Sequence, residues 1–145
     1  MHTVQAILGR KGKTVHSVTE EASVLDAAKI MNERRIGALV VTRGEKVVGI
    51  FTERDILNRV VAQQGDPAQL KVGDVMTTPV ACCTPQTPRT ECGNVMRSRR
   101  VRHLPVVDGE QLVGIVSIGD IVEDEGAEQQ ETIRYLHEYM HGEWH

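Results

Sequence analysis

The octapeptide GIFTERDI at residues 49–56 returns as GIVSIGDI at residues 114–121. The likeness runs well beyond either stretch. With Val15 set against Val80, the halves of the chain align without a gap as far as Ile56 and Ile121. Met31 meets Met96, Arg34 and Arg35 meet Arg99 and Arg100, Leu39 meets Leu104, and Val41 meets Val106. A gapless match constrains a fold more than a single motif does, because every helix, strand and turn must keep its length. Two copies are too few for a solenoid. They require two similar units packed on each other.

Each unit has a legible plan. SVLDAAKIMNERRIG places Val24, Ala27, Ala28 and Met31 at helical spacing, with Ser23 as its cap. ALVV and KVVGIF are β-rich runs joined by the turn signal TRGE. ERDILNRVVAQQG resumes helical spacing through Ile56, Leu57, Val60 and Val61, and Gly65 suits its end. A short strand over residues 15–18 completes a β-α-β-β-α unit. The second copy follows VGDVMTTP. Its first helix is weaker, since Gly93 sits inside it at a cost of about 1 kcal/mol against alanine. Pro88 is tolerated in a first helical turn. The expected fold is α+β, an α/β-type sandwich of two β-α-β-β-α repeats in a pseudo-twofold pair, with a C-terminal helix. The expected divisions are a lead-in over residues 1–12, repeats over 13–66 and 67–124, and a helical tail over 125–145.

At 145 residues the chain buries enough surface to fold without a metal or disulfide. Its 17 basic and 20 acidic residues give a net charge of −3, which argues against a general nucleic-acid binder and leaves room for a local basic patch. No apolar run approaches the roughly 20 residues needed to span a bilayer, and the opening MHTVQAILGRKGK is too weakly apolar for a secretory signal. Cys82, Cys83 and Cys92 lack zinc-ligand spacing and do not read as a disulfide framework. A reduced, cytoplasmic protein is expected. Cys82 and Cys83 fall in the first strand of the second repeat, where buried thiols are expected.

Two units, each closing with a Gly-centred apolar strand and then Thr/Ser-x-x-Asp, resemble a pair of CBS domains, a Bateman module. LPVVDGEQLVGIVSIGDIV is an especially close match, and MTTP fits the lead-in to a repeat. The likeness covers about residues 10–123 and the layout is similar to the small bacterial stand-alone CBS-pair proteins. VACCTPQTPRTECGNV departs from the pattern.

Thr52 stands where a helix cap belongs, with Asp55 three residues on. A capping box makes the same pattern, hydroxyl to backbone N–H and acid reaching back. The same geometry also suits a nucleotide. A helix N-terminus offers free N–H groups to an anion, and Thr52 and Ser117 can donate to phosphate or ribose. Asp55 and Asp120 would repel phosphate and instead accept from neutral ribose hydroxyls. The resemblance likewise implies ribose at this aspartate. Adenine would lie against Val15, Ile36 and Ala38 in one copy, and Val80, Val101 and His103 in the other. Gly37 and Ala38 become Arg102 and His103 in the second copy. The resemblance implies phosphate contacts there, and the planar fork of Arg102 suits them. Arg54 is matched by Gly119, so the sites are not equivalent. Thr14, His16 and Ala81 complete the candidate ligand-binding set. Arg34, Arg35, Arg99 and Arg100 read as favourable charge at helix ends.

Other signals carry less. HEYMH at residues 137–141 has the spacing of a zinc hydrolase, but it is a lone match near the C-terminus. Ile133, Leu136 and Met140 make that tail an amphipathic helix seeking the module or a second subunit. GRKGKT ends like a phosphate-binding loop, but Ile7 stands where its first glycine belongs. Lys11 and Lys13 remain near the first strand and within reach of a phosphate. The expectation is a non-catalytic regulatory module that binds AMP, ADP, ATP or NAD(H) between its repeats. It would form a homodimer, act on a partner protein in trans, and engage neither membrane nor nucleic acid. An interaction module without nucleotide is the alternative, and a zinc hydrolase a remote one.

Overall fold

The computed structural model describes residues 2–128. Most of the tail, with HEYMH and the Ile133, Leu136, Met140 stripe, lies outside the described residues. The lead-in forms helix α1 (Val4–Lys11). The first repeat follows as β1 (Ser17–Thr19), α2 (Val24–Arg34), β2 (Ala38–Arg43), β3 (Lys46–Thr52) and a closing helix. That helix begins as α3 (Glu53–Asp55) and continues as a π-helix (Ile56–Val61). After the short α4 (Val72–Val75), the second repeat supplies α5 (Arg89–Arg99), β4 (His103–Asp108), β5 (Gln111–Ser117) and α6 (Ile118–Glu128).

The repeats keep the expected plan, and their details recur. Ser23 caps α2 by accepting the Asp26 N–H at 3.0 Å. Arg35 and Arg100 end α2 and α5 in the left-handed conformation, each with φ 56°. Gly44 and Gly109 turn the β2–β3 and β4–β5 hairpins at φ 61° and 63°, a region closed to most side chains. Gly93 does not shorten α5, which spans 11 residues like α2.

The opening strands differ. β1 pairs parallel to β2 from Ser17↔Val40 to Thr19↔Thr42, starting later than residue 15. In the second repeat the equivalent strand shrinks to one parallel bridge, Cys83↔Val106. The cause is visible in the ladder. Val40 donates to His16 O at 3.2 Å, whereas its counterpart in the second repeat is Pro105 and has no N–H to donate. Cys83 is buried there, but Cys82 is exposed, which corrects the expectation of two buried thiols.

The lead-ins are exchanged between the cores. Val4, Ile7 and Leu8 of α1 pack with Leu104, Val106, Val116 and Ile121 of the second repeat. Val72, Val75 and Met76 pack with Leu39, Val41 and Phe51 of the first. Each lead-in thus precedes one repeat and completes the core of the other. This exchange explains the glycine in each VGI. A Cβ on Gly49 would lie 2.6 Å from Met76 Sδ and 2.9 Å from Thr77 O, and one on Gly114 2.9 Å from Leu8 Cδ2.

Candidate functional site

A cleft of about 640 Å³ opens between the repeats. One wall is Gly37, Ile50, Thr52 and the closing helix of the first repeat, with Glu53, Arg54, Asp55, Leu57, Asn58 and Arg59. The other is the stretch from Arg99 to His103, and Thr77 comes from the connector. β2 and β3 set the first wall, because Ala38↔Thr52 pairing brings Gly37 beside the start of α3. The left-handed turn at Arg100 ends α5 and aims the following residues across the opening.

Asp55 is 5% exposed and heavily engaged. Its Oδ2 accepts from Thr52 N at 3.0 Å and Thr52 Oγ1 at 3.3 Å, and its own N–H reaches Thr52 Oγ1 at 3.3 Å. This is a complete capping box. Its Oδ1 accepts from Thr77 Oγ1 at 2.9 Å and lies 3.7 Å from Arg59 Nε. Arg59 also donates to Met76 O at 2.9 Å, and Arg54 to Arg100 O at 3.3 Å across the cleft.

The cations cluster on this side. Arg54, Arg59, Arg99, Arg100 and Arg102 line the cleft with His103, against the acids Glu53 and Asp55. Arg99 and Arg100 thus line the cleft as well as ending a helix, whereas Arg34 and Arg35 do not line it. Burial pushes the His103 imidazole below its ordinary value of 6.5 and Lys11 and Arg102 add to this, with Asp120 and Glu53 opposing.

Of the candidate residues, Gly37, Thr52, Arg54, Asp55, Val101, Arg102 and His103 meet in this cleft. Thr14, Val15, His16, Ile36, Ala38, Val80, Ala81, Ser117, Gly119 and Asp120 do not line it. Ala38 is buried in β2, and Thr14, Val15 and His16 lead into β1. The second motif forms its own cap: Asp120 Oδ2 accepts from Ser117 N at 2.8 Å, and Asp120 N donates to Ser117 Oγ at 3.1 Å. Lys11 holds this carboxylate at 2.6 Å. Thr77 and Arg59 were missed. MTTP marked Thr77 as part of a lead-in, but nothing local showed which repeat it would serve.

Among the described residues no group of three or more His, Cys, Asp or Glu side chains is placed to hold a metal ion. None of their helices is long and apolar enough to cross a membrane.

The CBS domain model matches residues 12–62 and 72–125. The chain belongs to the CBS domain family. It is 35% identical over 149 residues to the mitochondrial CBS domain-containing protein CBSX3 of Arabidopsis thaliana, across 97% of this chain and 72% of that one. A putative signal-transduction protein with CBS domains from Burkholderia ambifaria MC40-6 superposes with TM-score 0.84 at 41% identity, covering 88% of this chain and 96% of that chain. The CBS domain pair of protein MJ0100, solved with 5′-methylthioadenosine and S-adenosyl-L-methionine, gives 0.78 at 28%, covering 88% and 98%. The two matched segments make this chain a tandem CBS pair.

Proposed function

We propose that this CBS pair is a non-catalytic regulatory module that binds an adenine nucleotide (AMP, ADP, ATP or NAD(H)) in the cleft between its repeats. One observation carries the reading. A carboxylate able to take ribose hydroxyls, Asp55, shares a cavity with Arg102 and His103 from the opposite repeat. Ribose and phosphate are the two parts of a nucleotide that need acceptors and cations respectively. The adenosyl ligands of the MJ0100 pair support the adenosine half. The arginines favour a phosphate over a sulfonium tail.

Binding would shift how the module packs on a partner, so output passes in trans or through self-association. Leu57, Val61, Ile118 and Val122 are 60%, 61%, 40% and 56% exposed, and Leu57 and Val122 hold equivalent places in the repeats. These apolar side chains on the closing helices support a homodimer. The free thiols of Cys82, Cys83 and Cys92 suit the reducing compartment expected for a cytoplasmic protein.

The alternative, an interaction module without nucleotide, also has an observation behind it: both Asp55 oxygens already accept from protein donors. A thermal-shift panel with AMP, ATP, NAD and S-adenosylmethionine separates the two. A ligand at about 100 times its dissociation constant adds about 2.7 kcal/mol of stability. A shift with a phosphate-bearing ligand upholds the nucleotide reading, and no shift with any of the four transfers the assignment to the alternative.

A further inference from the structure

The duplicated aspartates differ in what already holds them. Asp55 lines the open cleft. Asp120 instead receives the Lys11 ammonium at 2.6 Å on Oδ2, the oxygen that also accepts the Ser117 N–H at 2.8 Å. The same ammonium donates to Ile115 O at 3.0 Å. At Asp55 the donor supplied by the lead-in is the neutral Thr77 hydroxyl, on Oδ1 at 2.9 Å.

Lys11 is the last residue of α1, and α1 is firmly seated. Val4 and Ile7 are fully buried and Leu8 is 2% exposed. One turn further along α6, Asp124 accepts Arg10 Nη1 at 2.8 Å and Arg89 Nη1 at 2.7 Å. Burial raises the Asp120 carboxyl, but the bonds from Lys11 and Ser117 outweigh it and hold the group below its ordinary range.

We propose that Lys11 is a built-in occupant of the second site: its ammonium bonds Asp120 directly at 2.6 Å, whereas Asp55 has neutral donors with Arg59 no closer than 3.7 Å and lines the cleft, so the chain takes one nucleotide, at Asp55, and the Asp120 motif is the socket of the N-terminal helix. This rests on the nucleotide reading above. The competition favours the lysine. A ribose hydroxyl on this carboxylate would also make a charge-assisted bond, but only the ammonium brings a full opposite charge, and Lys11 is delivered by a buried helix without the entropy loss of capturing a free ligand. Lys11 thereby decides which of two duplicate motifs serves a ligand.

Calorimetric titration with AMP reads the number of sites. Wild type should fill one per chain, lost in Asp55→Asn and kept in Asp120→Asn. Lys11→Met removes the ammonium, keeps an apolar stem, and should open a second site that Asp120→Asn closes again. Two sites in wild type, a single site lost with Asp120→Asn, or no second site in Lys11→Met overturns the proposal. Amide hydrogen exchange over Val4–Lys11 reads the socket without ligand. Asp120→Asn and Lys11→Met should each speed it about tenfold or more, with Asp55→Asn leaving it unchanged. Unchanged exchange in both overturns the socket. AMP binding to no variant while exchange responds overturns the nucleotide reading and the site count with it, and upholds the socket alone.

Discussion

Thr77 Oγ1 donates to Asp55 Oδ1 at 2.9 Å, tying the connector between the repeats to the helix cap at the cleft. The connector backbone supports this bond, since Thr77 and Ile50 exchange N–H···O bonds of 2.8 and 3.1 Å. The carboxylate is therefore oriented before any ligand arrives, and it is a structural anchor as well as a candidate acceptor.

Asp55→Asn should weaken both roles. Losing a charged acceptor costs about 1.5–3 kcal/mol, a ten- to hundredfold loss of nucleotide affinity. The urea midpoint should fall as well, because an amide cannot accept at both oxygen positions. Thr77→Val should lower the midpoint less and leave the capping box intact. Calorimetry and urea unfolding on the two variants check the order, and equal nucleotide affinity in wild type and Asp55→Asn would remove ribose from this aspartate.

Arg102 is exposed at the cleft wall. Arg102→Ala should weaken AMP binding about tenfold or more, with adenosine binding nearly unchanged, since charge-assisted bonds to phosphate are worth about 1.5–3 kcal/mol. Arg102→Lys should recover part of that loss, because a point charge lacks the guanidinium fork. Parallel losses for both ligands would assign Arg102 to the shape of the cleft.

His103 sets a pH dependence. Its folded-state pKa lies below 6.5 because of burial, so the unfolded chain binds the proton more readily. The stability His103 contributes is present above about 6.5 and is lost as pH falls through that value toward the folded pKa. A phosphate beside it reverses the preference by favouring imidazolium. AMP affinity should then rise as pH falls, reaching its full gain below the depressed free-state pKa. AMP titrations between about pH 5 and 8 should show affinity rising more toward low pH in wild type than in His103→Gln, whose profile reads the ligand phosphate's own titration at about pH 6. A wild-type slope matched by His103→Gln would place the titrating group elsewhere.

The close approach of each lead-in to a VGI glycine gives a stability test. Gly49→Ala meets the Thr77 backbone oxygen and Met76 Sδ, so relaxation must move main chain, and it should cost about 1–3 kcal/mol. The nearest atoms to a Gly114→Ala methyl are side-chain carbons of Leu8, which can rotate, so this change should cost less. Urea midpoints that fail to rank in this order would mean that the connector yields more readily than the Leu8 side chain.

The elements formed by local spacing were legible in the chain. The Ser23 cap, the left-handed glycines at 44 and 109, the helix over Val24–Arg34 and the hairpins follow from residues within a few positions of each other. The truncated opening strand was legible too, in principle, because Pro105 can donate no ladder bond. The exchange of lead-ins was not, nor was the entry of Thr77, Arg99 and Arg100 into the cleft. Lys11 and Asp120 lie 109 residues apart. Their contact depends on α1 burying its apolar face in the second repeat, although α1 immediately precedes the first. The gapless repeat by itself determined two like units and two aspartate motifs. Only tertiary packing decided that one motif faces an open cleft and the other receives a lysine, because burial of Val4, Ile7 and Leu8 fixes where α1 ends and nothing near Asp120 in the chain records it.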